Sequence, residues 1–504
     1  MLNGQGSATR ALLLVQPPQR GLLNGLANGL VDIGNFVARG EPSSSVTILD
    51  WAVTPVADLP VQARSALHGN RYSPIVGITT TSADYQAALA VAKTFKAVAP
   101  DCMVVLGGHH ASPERAVVLR HHRDIVDAVV QGEGERALLA LVRGASPREV
   151  PGVAVIDGGR VHANASGPLI RAQELDEMPV DFNGCVLHSA AGKFDHATYV
   201  SARGCPLRCA FCAVAAQPIR AKSVPRVIED LRYLVVERGY RKIAIEDNFF
   251  AQSRSRALAL CECIAKLKKD IGIEFSWDCQ TRVESMRSPE VIKAFERAGC
   301  DGVYLGVESL IEEELTYLGK TPRPARYIEV VGKVVRALLD TRIGCYVNIQ
   351  VALPAEDDER RQRRLARLGA LGNLAARRGR SVTVFPQLSV IYPGTAHFVT
   401  AVAQADFGPH SPEVFEPFTE WEAEQEPILR FVGENFAHGV GGIPVGMLDP
   451  QRLRHGGFEV EADTVGRLKG HLARFEELDG IQLFKYGTHL ASDGKGRRTQ
   501  RQIT

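Results

Sequence analysis

Cys205, Cys209 and Cys212 stand in the run Arg203-Gly-Cys-Pro-Leu-Arg-Cys-Ala-Phe-Cys212, so three thiols occupy one short loop at Cys-x3-Cys-x2-Cys spacing. A structural zinc site takes four protein ligands, and a fourth is not evident: the next cysteine, Cys261, lies in a helical pattern with Cys263. Three thiolates can instead hold three irons of a 4Fe-4S cluster and leave the fourth open to a small molecule, a departure from the commoner four-cysteine arrangement. The spacing permits either centre. Cysteines 102, 185, 261, 263, 279, 300 and 345 mostly fall inside apolar or periodic segments, where a thiol acts as a small hydrophobe. Ten cysteines in 504 residues are too few for a disulfide scaffold.

The elements that must position this loop are legible on both sides of it. Apolar runs at 11–15, 46–51, 74–78, 103–106 and 128–130 alternate with helical spacing, which predicts a doubly wound parallel sheet over residues 1–150. Polar or glycine-rich runs follow these strands: Gln16-Pro-Pro-Gln-Arg-Gly21, Thr79 to Ser82, Gly107-Gly-His-His-Ala-Ser112 and Gln131-Gly-Glu-Gly-Glu135. Ligands bind beyond the carboxyl ends of such strands. No Gly-x-Gly-x-x-Gly follows the first strand, so a dinucleotide is disfavoured. Residues 151–190 read as a connector with a hairpin around Asp157-Gly-Gly159. Strand candidates at 198–202, 242–246, 273–279, 302–307, 344–353 and 382–391 then predict a partial (β/α)6 TIM-type barrel over 191–398. A small, mainly helical region with charged amphipathic segments near 419–436 and 463–475 is expected over 399–504.

The charge balance, Lys+Arg 59 against Asp+Glu 57, gives no global field for nucleic acid or an anionic membrane. The arginine-rich run 359–380 carries Leu365, Leu368, Leu371 and Leu374 at helical spacing and reads as a solvated helix face. No apolar stretch approaches the ~18 residues of a membrane span, and the first ten residues lack the order of a signal peptide. A cytoplasmic location is expected, with neither nucleic acid nor membrane as a partner.

The three-cysteine loop, with Phe211 before its last cysteine, resembles the signature of the radical S-adenosylmethionine (SAM) superfamily. The likeness continues through Glu246-Asp-Asn-Phe249, Gln280-Thr-Arg282, Gly306-Val-Glu-Ser309, Lys320, Leu353-Pro-Ala-Glu356 and Pro393-Gly-Thr395. Residues 11–140 resemble the Rossmann-like cobalamin domain that precedes the barrel in cobalamin-dependent members. The resemblance implies a 4Fe-4S cluster on Cys205, Cys209 and Cys212, with SAM on its open iron. Asp247 and Asn248 would then meet the methionyl ammonium, Arg282 the carboxylate, and Glu308 and Ser309 the ribose or amino group. Cobalamin would lie against Gln16, Thr79, Thr80, Ser82, Gly107, Gly108, His110, Gln131, Gly132 and Glu133. Two departures stand out. The family's Gly-Leu-Pro-Gly-Glu is Ala352-Leu-Pro-Ala-Glu356 here, and no Asp-x-His-x-x-Gly supplies a histidine to cobalt, so cobalamin is expected without a histidine ligand.

The family's chemistry uses SAM twice: one molecule yields a 5′-deoxyadenosyl radical that takes hydrogen from an unactivated carbon, and another methylates cobalamin. The resemblance therefore implies a C-methyltransferase acting on a small molecule or peptide in bacterial secondary metabolism, fed by a one-electron reductant such as flavodoxin or ferredoxin. Cyclisation, ring contraction or oxidative rearrangement with the same cofactors is the alternative. A non-catalytic cobalamin- or metal-binding sensor is the reading from another class. Tyr392, Trp421, Phe431, Phe436 and Tyr486 are candidates for a substrate pocket, with core packing the plainer role.

Overall fold

A computed structural model describes residues 10–18, 28–51, 54, 56–68, 73–82, 84–178, 180, 186–189, 196–351, 353, 357–388, 392–404, 474, 478–483, 488–492 and 498–502. Two large parallel sheets are laid down in chain order. The first uses β1 (Leu12–Gln16), α1 (Asn28–Gly40), β2 (Val46–Asp50), α2 (Leu59–Leu67), β3 (Ile75–Thr79), α3 (Tyr85–Val98), β4 (Met103–Gly107), α4 (Arg115–His121), β5 (Ala128–Val130) and α5 (Glu135–Val142). It continues through β6 (Val153–Asp157), β7 (Arg160–Ala163), α6 (Ala172–Asp176) and β8 (Val186–Ser189). The order is β7-β6-β5-β4-β3-β1-β2-β8, antiparallel only at β6 and β7. Its central strands are apolar throughout because helices cover both faces: Leu13, Val76 and Val104 pack on one side, Leu12, Leu14 and Val105 on the other.

The span read as a connector does more than connect. Its hairpin extends one edge of the first sheet through β5–β6 pairing, and β8 closes the other by pairing in parallel with β2. Strand pairing at a sheet edge depends on the tertiary partner, which a short, half-polar run such as 160–163 does not announce.

The second sheet uses β9 (Ala197–Tyr199), then a short antiparallel pair β10 (Ala202–Arg203) and β11 (Arg220–Ala221) enclosing the cysteine loop. There follow α7 (Val224–Arg232), β12 (Lys242–Ile245), α8 (Arg254–Ile271), β13 (Ser276–Thr281), α9 (Pro289–Arg297), β14 (Cys300–Glu308), α10 (Glu312–Tyr317) and α11 (Pro324–Leu339). The series closes with β15 (Gly344–Val351), α12 (Asp358–Ala376), β16 (Val382–Leu388), α13 (Ala396–Gln404) and β17 (Ile481–Leu483). The order β17-β16-β15-β14-β13-β12-β9 is parallel throughout: six strands of a partial barrel plus a seventh from the C-terminal region. Local signals set the helices. Ser223, Ser253 and Asp357 accept from the backbone N–H three residues on, and Gly272 ends α8 in the left-handed conformation.

In α12, Leu365, Leu368 and Leu371 are buried as the periodicity predicts. Arg364 is the exception to the solvated face: it is fully buried and paired with Glu314 at 2.7 Å. Cys102, Cys261, Cys279, Cys300 and Cys345 are buried and reduced, consistent with small hydrophobes, and Cys185 lies outside the described residues. Of residues 399–504, the described parts are the end of α13, Arg474, residues 478–480, β17, and an antiparallel pair over 488–492 and 498–502. The two amphipathic segments, apart from Arg474, and Trp421, Phe431, Phe436 and Tyr486 lie outside them; Tyr392 packs half-buried on the barrel core. Among the described residues, no helix is long and apolar enough to cross a membrane.

Candidate active site

The cysteine loop is held at both ends and across its back. Gly204 opens it at φ +89°, and a Cβ there would lie 2.2 Å from the Pro218 carbonyl oxygen, so only glycine fits. Gln217 and Ala216 donate backbone N–H groups to the Cys205 and Leu207 carbonyls, Ala210 donates to Leu318, and His397 donates to Ala210. The three thiols are half-buried and free of disulfides. Burial pushes the Cys212 thiol up, and Cys209 and Cys205 push it the same way. Coordinated iron would reverse that effect, since a metal-bound thiol gives up its proton. Among the described residues, no three His, Cys, Asp or Glu side chains converge as a site for one metal ion.

The strand ends around the loop carry the residues picked out for SAM, in two groups. Arg282 and Glu308 lie beside the thiols, and Asn248 lines the cavity described below. Arg282 is clamped by both Glu284 oxygens (3.2 and 3.0 Å) and by the Lys320 carbonyl (3.2 Å), and its Nη1 lies 3.9 Å from Cys209 Sγ. Glu308 has φ +66° at a register shift between β14 and β15, a conformation that non-glycine residues adopt at a cost and that concentrates at functional sites. Its carboxylate takes hydrogen bonds from Lys320 Nζ and Gln350 Nε2, both at 3.3 Å. Gly306 leaves the room: a Cβ there would lie 2.8 Å from Glu308 Oε1.

Asp247 and Ser309, also expected at SAM, have side chains engaged within the protein. Asp247 accepts from the Ser201 and Ala202 N–H groups and the Ser201 hydroxyl, so both oxygens brace the chain before the cysteine loop. Burial lifts its carboxyl to about 6 despite these bonds. Ser309 is buried, donates to Glu314 and accepts from the Ile311 N–H; Glu314 in turn meets Arg364. Both residues support the strand ends. Of Leu353-Pro-Ala-Glu356 only Leu353 is described.

A cavity of about 620 Å³ opens at the carboxyl ends of β1, β3, β4 and β5. Strand order 2-1-3-4-5 reverses direction beside β1, the switch point where doubly wound sheets bind ligands. Gln16, Thr79, Gly107, Gly108, Gln131, Gly132 and Glu133 line it, and so do Arg203, Gly204, Ala213, Val214, Gln217 and Asn248 from the barrel side. One cavity thus spans from the first sheet to the cysteine loop.

Thr80, Ser82 and His110, also expected at cobalamin, do not line this cavity. Thr80 donates to the Gly107 carbonyl and accepts from the Ala111 N–H. His110 is buried on the Tyr85 ring at 4.1 Å with Ser82 Oγ at 3.0 Å from Nδ1, and burial depresses it to about 3. These residues shape the loop behind Gly108, whose added Cβ would lie 2.4 Å from the Thr80 carbonyl oxygen.

The walls suit a large, flat, amide-rich cofactor such as cobalamin. Gly29 of α1 and Gly132 face open space, and Gly107 nearly so, so backbone forms the cradle that any Cβ would fill. Gln16 Nε2 is buried at the wall without a hydrogen-bond partner, as is Glu135 Oε2. Gly29, Leu30, Ile33, Leu169 and Arg220 do not stand out in the sequence. Gly29 and Ile33, four apart on α1, were the available signal.

The comparisons agree with this geometry. Residues 43–142 match the B12 binding domain and residues 199–368 the radical SAM superfamily. The chain thus joins a B12 binding domain to a radical SAM domain, the two units of cobalamin-dependent radical SAM enzymes, and these domains imply cobalamin, a 4Fe-4S cluster and SAM. It is 33% identical over 267 residues to an uncharacterized methyltransferase of Pyrococcus horikoshii, covering 51% of this chain and 56% of that one. It is 26% identical over 279 residues to the anaerobic magnesium-protoporphyrin IX monomethyl ester cyclase of Cereibacter sphaeroides, covering 51% and 43%. The matches span about half the length of these relatives. In fold it resembles the radical SAM methyltransferase TsrM of Kitasatospora setae, a structure with cobalamin and a [4Fe-4S] cluster bound, at TM-score 0.68 and 16% identity over 96% of this chain and 93% of that one.

Proposed function

We propose that the chain is a C-methyltransferase that moves a methyl group from cobalamin to an unactivated carbon of a small molecule or peptide. The observation carrying this reading is the single cavity bounded by the glycine-lined strand ends and the cysteine loop. When bound, the cluster supplies the electron that cleaves SAM, and cobalamin supplies the methyl group.

The chain's own residues do the rest. Cys205, Cys209 and Cys212 hold the cluster. Arg282, fixed by Glu284 beside Cys209, offers a cation to the SAM carboxylate. Glu308, tied to Lys320, and Asn248 present acceptors to the ammonium and ribose. Gly29, Gly107 and Gly132 would leave room for the corrin face, and Gln16, with its buried unmet Nε2, would donate to its rim.

Because relatives include both methyltransferases and ring-forming cyclases, the test must separate the two outcomes. The anaerobically reconstituted chain is given reductant, candidate substrates and SAM deuterated in its methyl group. Methyl transfer predicts S-adenosylhomocysteine and 5′-deoxyadenosine in comparable amounts and a CD3 label in the product. 5′-Deoxyadenosine with an unlabelled product would instead establish cyclisation or rearrangement.

A further inference from the structure

We infer that Arg203 is a positioning residue that locks the cysteine loop to the cobalamin cavity, so that both cofactors are held in one frame. The inference rests on the reading of that cavity given above. Arg203 stands two residues before Cys205, and Gly204 between them is pinned against Pro218, so a displacement of Arg203 carries into the loop. Its side chain leaves the barrel domain altogether. The guanidinium meets Asp32 of α1 at 2.7 Å, Glu135 at the start of α5 at 2.7 Å, and Glu133 at 3.2 Å.

Arg220, its partner in the β10–β11 pair, grips both oxygens of Glu133 at 2.8 Å and the Ile170 carbonyl at 2.9 Å. Two guanidiniums therefore face three carboxylates, all largely buried, across the boundary between the two sheets. One acceptor is left over: Glu135 Oε2 is buried at the cavity wall with no partner. A buried acceptor left unmet is unfavourable, and a ligand rimmed with amide N–H donors, as a corrin is, would satisfy it. Cobalamin thereby completes the network that anchors the cysteine loop.

Asp32 separates this role from direct contact, because it holds Arg203 but does not line the cavity. Hydroxocobalamin is titrated into the cluster-loaded, full-length chain without SAM or substrate. Arg203→Ala is expected to weaken binding about tenfold or more and Asp32→Asn severalfold, with Arg203→Lys recovering part of the loss. In turnover, Arg203→Ala and Asp32→Asn should lower the ratio of S-adenosylhomocysteine to 5′-deoxyadenosine, a split that general loss of fold would not produce. Unchanged affinity and ratio in Asp32→Asn and Arg203→Ala would overturn the assignment; should Arg203→Ala fail to fold, Asp32→Asn decides. Wild-type protein that forms no S-adenosylhomocysteine would overturn methyl transfer, while the affinity titration would still judge Arg203.

Discussion

The ends of the two sheets solve the problem of holding a cofactor in opposite ways. At the barrel end the side chains are charged and already paired with one another: Arg282 with Glu284 and Glu308 with Lys320. At the first sheet the side chains are removed, at Gly29, Gly107 and Gly132, and Gln16 is left with an unmet donor. A small zwitterion is recognised by fixed charges, and pairing them beforehand avoids reorganisation on binding. A broad corrin is recognised by shape and amide hydrogen bonds, for which bare backbone is the better surface.

That contrast can be broken from either side. The largest effect is expected from Cys205→Ala, Cys209→Ala or Cys212→Ala: SAM cleavage is abolished, while cobalamin retained after gel filtration stays near wild type. Loss of both together would make the loop a folding element instead. Next, Lys320→Met leaves Glu308 buried without its ion-pair partner, with Gln350 as its remaining donor, and should weaken SAM binding by about tenfold or more, read by equilibrium dialysis, with cobalamin affinity unchanged. Gly29→Leu places a side chain in open cavity space and should weaken cobalamin binding about tenfold or more while SAM binding persists. It is a cleaner test than Gly108, where an added Cβ meets the Thr80 backbone.

The smallest effect is on stability. His110 is held neutral to about pH 3 by burial, whereas an unfolded histidine takes up its proton near 6.5. Since the unfolded state then binds more protons, this group's contribution is intact above pH 6.5 and is lost as pH falls from there toward 3. Between pH 7.5 and 5.5 the loss is on the order of 1 kcal/mol, so a His110→Gln variant should show a smaller drop in thermal midpoint over that interval than wild type. Equal drops would remove His110 from the account.

How far the sequence could be read follows from the same contrast. Continuous apolar runs such as Leu12 to Val15 and Val303 to Val307 announce buried parallel strands, and the Cys-x3-Cys-x2-Cys loop announces its chemistry in one segment. Residue type was legible where residue direction was not. The polar atoms of Asp247, Ser309, Thr80 and His110 meet partners such as Ser201 and Glu314 that are set only by tertiary packing. Asp32 and Arg220 escaped because each acts across the boundary between the sheets; no local spacing connects Arg203 to Asp32.

The central claim is that one cavity brings the two cofactors face to face, and it is tested most directly by electron paramagnetic resonance of the reduced, fully loaded chain. The cob(II)alamin signal is expected to be broadened or relaxed faster by the reduced cluster, and Cys209→Ala to abolish this effect without displacing cobalamin. Two independent signals, indifferent to the presence of the cluster, would contradict it.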